Sequence, residues 1–121
     1  MTNSPSILII DDEVDILCIL KDLLEFRGYH VETSENAQEA FSIAKQNKFC
    51  VILADLKMPG MNGTQIAEKL QTIQPASRII IMSGYGIQVK ETLEQIGIQN
   101  YIVKPINFDQ LFDKIEDLCK N

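Results

Sequence analysis

Four apolar runs in this chain each end on residues able to do chemistry. Ser6-Ile7-Leu8-Ile9-Ile10 is followed by Asp11-Asp12-Glu13, and Val51-Ile52-Leu53-Ala54 by Asp55. Arg78 to Met82 leads into Ser83-Gly84, and Asn100 to Lys104 into Pro105. If these runs are strands of one parallel sheet, their ends share a rim where two or three carboxylates, a hydroxyl and one ammonium converge. Two carboxylates about 4 Å apart repel by roughly 4 kcal/mol at an effective dielectric near 20. Such a cluster either raises its own pKa values or recruits a cation. All-oxygen donors with room for water suit Mg²⁺, with Mn²⁺ as the alternative. A metal and Lys104 would neutralise a phosphoryl group while a carboxylate attacks phosphorus.

The elements needed to position these residues are legible in the pattern. Ser6 to Ile10, Cys50 to Ala54 and Arg78 to Met82 are continuous apolar runs, as in parallel strands covered on both faces. Tyr29 to Thr33 alternates and belongs at an edge, and Asn100 to Lys104 is a fifth strand. Between them, Glu13 to Arg27 is an amphipathic helix stopped at Gly28. Asn36-Ala37-Gln38-Glu39 resembles a capping box opening a second helix with Ala37, Ala40, Phe41 and Ala44 on one face. Ile66, Ala67, Leu70 and Ile73 mark a third helix, and Val89, Leu93 and Ile96 a weaker fourth. Phe108, Leu111, Phe112, Ile115 and Leu118 mark a fifth, with Asn107 as N-cap. Five strand-helix repeats predict an α/β fold: a five-stranded parallel sheet of order 2-1-3-4-5, doubly wound and flavodoxin-like. Ligands in such sheets bind at the carboxyl ends of strands 1 and 3.

The whole chain narrows the function further. Its 121 residues form a single domain, 1–121, with a core over about 6–119. A net charge of −6 argues against direct nucleic-acid binding. No apolar run approaches the roughly 20 residues of a membrane span, and Met1 to Ser6 is not a secretory signal. Cys18, Cys50 and Cys119 are odd in number, widely spaced and match no metal pattern. They are expected to pack as small core residues in a reducing compartment, which points to the cytoplasm.

Four pieces together resemble the receiver domains of two-component response regulators. They are "IIDDE" at 9–13, "DLKMPGMNG" at 55–63, "MSGYG" at 82–86 and "YIVKP" at 101–105. The likeness runs from Ile7 to about Leu118. It implies Asp55 as phosphoacceptor, Asp12 as a direct Mg²⁺ ligand, and Asp11 as a holder of metal water or a partner of Lys104. Asp55 and the backbone carbonyl of Lys57 would complete the protein's metal ligands. Ser83 and Lys104 would contact phosphoryl oxygens, and Tyr101 matches the switch aromatic. The implied donor is a sensor histidine kinase or a histidine phosphotransfer protein. The implied output is a protein partner met through helix 4, strand 5 and helix 5. Ser83 and Lys104 stand 21 positions apart, about one fewer than the family pattern, so helix 4 is expected to start late or be short. Lys57 and Tyr85 would flank an acyl phosphate and cover the approach of water, slowing its hydrolysis as suits a relay component.

Competing readings weaken on the same residues. A flavin-binding protein of this topology needs a Ser/Thr/Gly-rich phosphate loop after strand 1, where Asp11-Asp12-Glu13 would repel phosphate. An aspartyl phosphatase carries a second Asp two positions after its nucleophile, and position 57 is Lys, so turnover catalysis is not expected. A phosphorylation-independent interaction module would lack an acid or the lysine. A receiver cut from a larger transcriptional regulator remains an alternative. Taken singly, Asp55 reads as a cap, Asp11-Asp12-Glu13 as a helix start, Tyr101 as packing, and His30 as a surface residue.

Overall fold

The five expected strands pair as one parallel sheet in the order β2-β1-β3-β4-β5, as the strand-helix alternation requires. In this computed structural model, residues 5–55, 63–75, 78–84 and 87–119 are described. The strands are β1 (Ser6–Ile10), β2 (His30–Ser34), β3 (Val51–Asp55), β4 (Ile79–Ser83) and β5 (Asn100–Val103). The helices are α1 (Val14–Phe26), α2 (Ala37–Gln46), α3 (Gly63–Gln71), α4 (Ile87–Gln95) and α5 (Phe108–Cys119).

The period of two along each strand splits the core into two layers. Leu8, Ile10, Ile52, Ala54, Ile79 and Ile81 face one way and pack against residues of α2, α3 and α4. Ile7, Ile9, Leu53, Ile80 and Met82 face the other way and pack against α1 and α5. Strands β3 and β4 are buried along their whole length, which is why they carry almost no polar residues until the last position. Each fully buried Ile or Leu contributes about 1.5–3 kcal/mol relative to exposure.

Helix ends follow their sequence signals. Gly28 adopts φ +98°, its N–H donates to Glu25 O, and the Tyr29 N–H donates to Leu24 O, closing α1 as a Schellman motif. Gly97 closes the nine-residue α4 in the same way, with φ +93° and the Ile98 N–H on Leu93 O. Asn36 Oδ1 accepts from the Glu39 N–H at 2.8 Å, and Asn107 Oδ1 from the Gln110 N–H at 3.0 Å.

Three expectations need correction. Strands β2, β3 and β4 each start and end one residue later than the apolar runs suggest. The ladder continues into Ser34, Asp55 and Ser83 because backbone pairing is indifferent to side-chain polarity, while the N–H groups of Tyr29 and Arg78 are engaged by Leu24 O and Pro75 O outside the sheet. Cys50 and Cys119 are not free core thiols; they form a disulfide, with Cα atoms 5.2 Å apart across 69 positions. The start of β3 and the end of α5 meet at the amino edge of the sheet, a proximity that spacing along the chain does not encode. Cys18 is exposed on α1 rather than packed in the core.

Candidate functional site

The carboxyl edge of the sheet assembles the site through register alone. Asp11 follows β1 directly, and its N–H still donates to Ser34 O at 3.2 Å, so it is held as a strand residue would be. Asp55 is the last residue of β3 and pairs with Met82, one position before Ser83. Ser83 ends β4 opposite Val103, and its carbonyl accepts the Lys104 N–H at 2.9 Å. The peptide bond between Lys104 and Pro105 is cis. Each polar residue therefore occupies the first position beyond, or the last position of, a strand of the sheet.

Lys104 links the acids. Its Nζ donates to Asp55 Oδ2 at 2.9 Å and to Asp11 Oδ2 at 3.3 Å, and lies 3.9 Å from Glu13 Oε1. Asp11 is fully buried and Asp55 is 2% exposed, whereas Asp12 and Glu13 face solvent. Burial raises Asp11 to a pKa of about 6; a hydrogen bond from the Glu13 N–H opposes this, and the Asp55 charge adds to it. Burial pulls Lys104 down, but its hydrogen bond to Asp55 and the charges of Asp11 and Asp55 outweigh that and hold it above its ordinary value.

Among the described residues, the one ammonium paired with these acids does not balance them. Carboxylate oxygens of Asp11, Asp12, Glu13 and Asp55 all lie within 4.8 Å of one another. The donor set is all oxygen, partly exposed and short of positive charge, so it fits a hard divalent cation such as Mg²⁺. Ser83 is buried at the same rim. Tyr101 is half-buried, opposite Ile81, and packs against the layer formed with α3 and α4. By strand alternation Ser83 lies on the face of Ile81, so Ser83 and Tyr101 are diagonal neighbours on one side of the sheet.

The model for the response regulator receiver domain matches residues 7–116. The chain belongs to the receiver domain family of two-component response regulators. Among curated relatives, this receiver is 30% identical over 119 residues to the transcriptional regulatory protein GlrR of Escherichia coli, covering 97% of this chain and 27% of that protein. The chain thus spans about a quarter of that regulator. It is 29% identical over 111 residues to sporulation initiation phosphotransferase F of Bacillus subtilis, covering 91% of this chain and 90% of the relative. A solved CheY-like receiver from Methanospirillum hungatei superposes with a TM-score of 0.85 at 32% identity, covering 98% of both chains.

Of the residues singled out from sequence, the receiver fold brings Asp11, Asp12, Asp55, Ser83 and Lys104 to one rim and leaves Tyr101 beside it. Lys57 and Tyr85 lie outside the described residues. The run of acids marks Glu13 as part of a helix start, and it does occupy the N-cap of α1, but its side chain makes no cap hydrogen bond. Instead Asp11 Oδ1 accepts the Glu13 N–H at 2.9 Å, and the Glu13 carboxylate turns toward Lys104. Its signal was the unbroken run of three acids.

Proposed function

We propose that Asp55 accepts a phosphoryl group from a phosphohistidine on a sensor histidine kinase or a histidine phosphotransfer protein. The observation that carries this reading is Lys104 bridging Asp55 and Asp11 at the carboxyl edge, with Ser83 beside them. An Asp55 carboxylate oxygen forms a bond to phosphorus as the phosphorus–nitrogen bond breaks, and the donor imidazole keeps the electron pair. Asp11, Asp12, Asp55 and the backbone carbonyl of Lys57 would hold Mg²⁺, with Mn²⁺ as a substitute. The metal supplies charge neutralisation for the transferring group. Lys104 neutralises a second phosphoryl oxygen and the Ser83 hydroxyl donates to a third. The protein is consumed in its own phosphorylation and is reset by hydrolysis, so it does not act as a turnover enzyme.

The phosphoryl group adds nearly two negative charges and three acceptors where Ser83 and Lys104 stand. Drawing Ser83 toward it opens space on the face it shares with Tyr101, and inward rotation of that ring alters the face of α4, β5 and α5 for a downstream protein. Lys57 and Tyr85, two positions after Asp55 and Ser83 in the sequence, would shield the acyl phosphate from water, in keeping with a relay role. Residues 1–121 act as one receiver domain in the cytoplasm, with no direct contact to nucleic acid. Among the described residues no helix is long and apolar enough to cross a membrane. The 27% coverage of a transcriptional regulator supports a second reading, in which this receiver governs a separate output domain.

Incubation with Mg²⁺ and a small acyl phosphate, followed by intact-mass measurement, tests the assignment. One phosphoryl group is expected on the native protein and none on Asp55→Asn. Equal labelling of the variant would refute the role of Asp55.

A further inference from the structure

At the amino edge, Cys50 stands immediately before β3 and Cys119 is the last residue of α5. They are bonded to each other, and both sit half-buried against the layer formed with α1 and α5. Cys50 is fixed independently of the bond, because its N–H donates to Ser6 O at 2.8 Å. The end of α5 is held far less firmly by its own sequence. Its last turn contains Glu116 and Asp117 and no basic residue, so its charges oppose the negative partial charge of a helix carboxyl end. Besides the disulfide, Arg78 ties it down: the guanidinium donates to the carbonyls of both Leu118 and Cys50.

The same helix end walls a cavity of about 690 Å³ lined by Leu23, Phe26, Arg27, Tyr29, Phe112 and Glu116. The Arg27 guanidinium lies 4.4 Å from the centre of the Phe112 ring, closing one side. Phe112 and Glu116 stand about two turns and one turn before Cys119, so all three lie along one face of α5, the face that walls the cavity.

We propose that Cys50 and Cys119 form a reversible thiol–disulfide exchange site that latches the last turn of α5 and shapes the adjoining cavity. The site takes low-molecular-weight thiols in one direction and low-molecular-weight disulfides in the other. A thiolate attacks one sulfur of the pair, forming a mixed disulfide and releasing the other cysteine as a thiolate. A second thiolate attacks the external sulfur, releasing the second cysteine and an oxidised external disulfide. Two electrons enter the protein and two protons follow from solvent; oxidation reverses each step. Reduction leaves the Arg78 hydrogen bonds and the half-buried packing of Leu118 to hold this end, and the last turn of α5 frays. The latch lies at the sheet edge opposite Asp55 and does not depend on the phosphoacceptor reading.

Cys18, exposed and unbonded, supplies an internal reference. The full chain is alkylated with a maleimide under denaturing conditions, before and after incubation with reduced glutathione. One adduct is expected before and three after, with oxidised glutathione restoring one. Amide hydrogen exchange is measured in both states, and on Cys50→Ser/Cys119→Ser. Reduction should speed exchange at the end of α5 by about tenfold or more while leaving β1 and β3 unchanged, and the variant should match the reduced protein whatever the redox conditions. Three adducts at the outset, a bond that resists glutathione, or equal α5 exchange in both states would each overturn the proposal.

Discussion

The two edges of this sheet solve opposite problems with the same strands. At the carboxyl edge Asp11, Asp12, Glu13 and Asp55 crowd around the single ammonium of Lys104, and Asp11 is driven to a pKa of about 6 mainly by burial. At the amino edge the Cys50–Cys119 bond, the Arg78 hydrogen bonds and the Gly28 closure of α1 satisfy local demands covalently or by backbone pairing. Among the described residues one edge is short of positive charge, which a bound cation would relieve. The other draws its stability from within the chain. The lesson is that a buried sheet can carry an edge crowded with acids when the opposite edge and both faces are well held.

The largest effect should come from the amino edge. Reducing the disulfide should cost about 4 kcal/mol in the chain-entropy model for a loop of this length, measured by denaturant unfolding with and without dithiothreitol. The loss should be the same in Mg²⁺ and in chelator, since distant sites add. A loss that depends on Mg²⁺ would break the separation between the edges. Next in size, Lys104→Met strips the cation that the described residues place among these acids and should cost about 3 kcal/mol in chelator, because it leaves buried carboxylates uncompensated. Mg²⁺ should recover part of that loss; if it recovers none, the two cations do not share one job. Third, Mg²⁺ at 100 times its dissociation constant should stabilise the native protein by about 2.7 kcal/mol, and Asp12→Asn should remove most of that gain.

The smallest effect is a titration. Because the folded pKa of Asp11 is raised, its carboxyl keeps a proton that the unfolded chain has already released. The associated stability is fully present below the unfolded value and is lost as pH rises through about 6. Metal-free protein should therefore lose on the order of 1 kcal/mol between pH 5 and pH 7, and Asp11→Asn should flatten that slope. Equal slopes would mean that Asp11 is not the group responsible.

Much of this was legible in the chain, for reasons that differ by residue. Sheet order followed from the fully apolar runs ending at Ile10, Ala54 and Met82, since a strand covered on both faces tolerates few polar side chains. Gly28, Asn36 and Asn107 announced helix ends because their capping chemistry is local. Asp11, Asp55, Ser83 and Lys104 could be placed together because in a parallel sheet the strand ends share a rim. Strand limits were less legible: Ser34, Asp55 and Ser83 stay in the ladder through backbone pairing, which leaves no mark in hydrophobicity. The Cys50–Cys119 bond was illegible because it joins elements 69 positions apart that only the packing of α5 brings together. Glu13 was half legible, since an acid after two others reads equally as a helix start.

Peptide-level mapping of the phosphoryl group tests the central claim most directly. The native protein is labelled by a small acyl phosphate in Mg²⁺, and the acyl phosphate is trapped by reduction and located by tandem mass spectrometry. The account predicts a single modified site at Asp55, with labelling abolished by chelator. Modification at Asp11 or Asp12, or labelling that persists without a divalent cation, would contradict it.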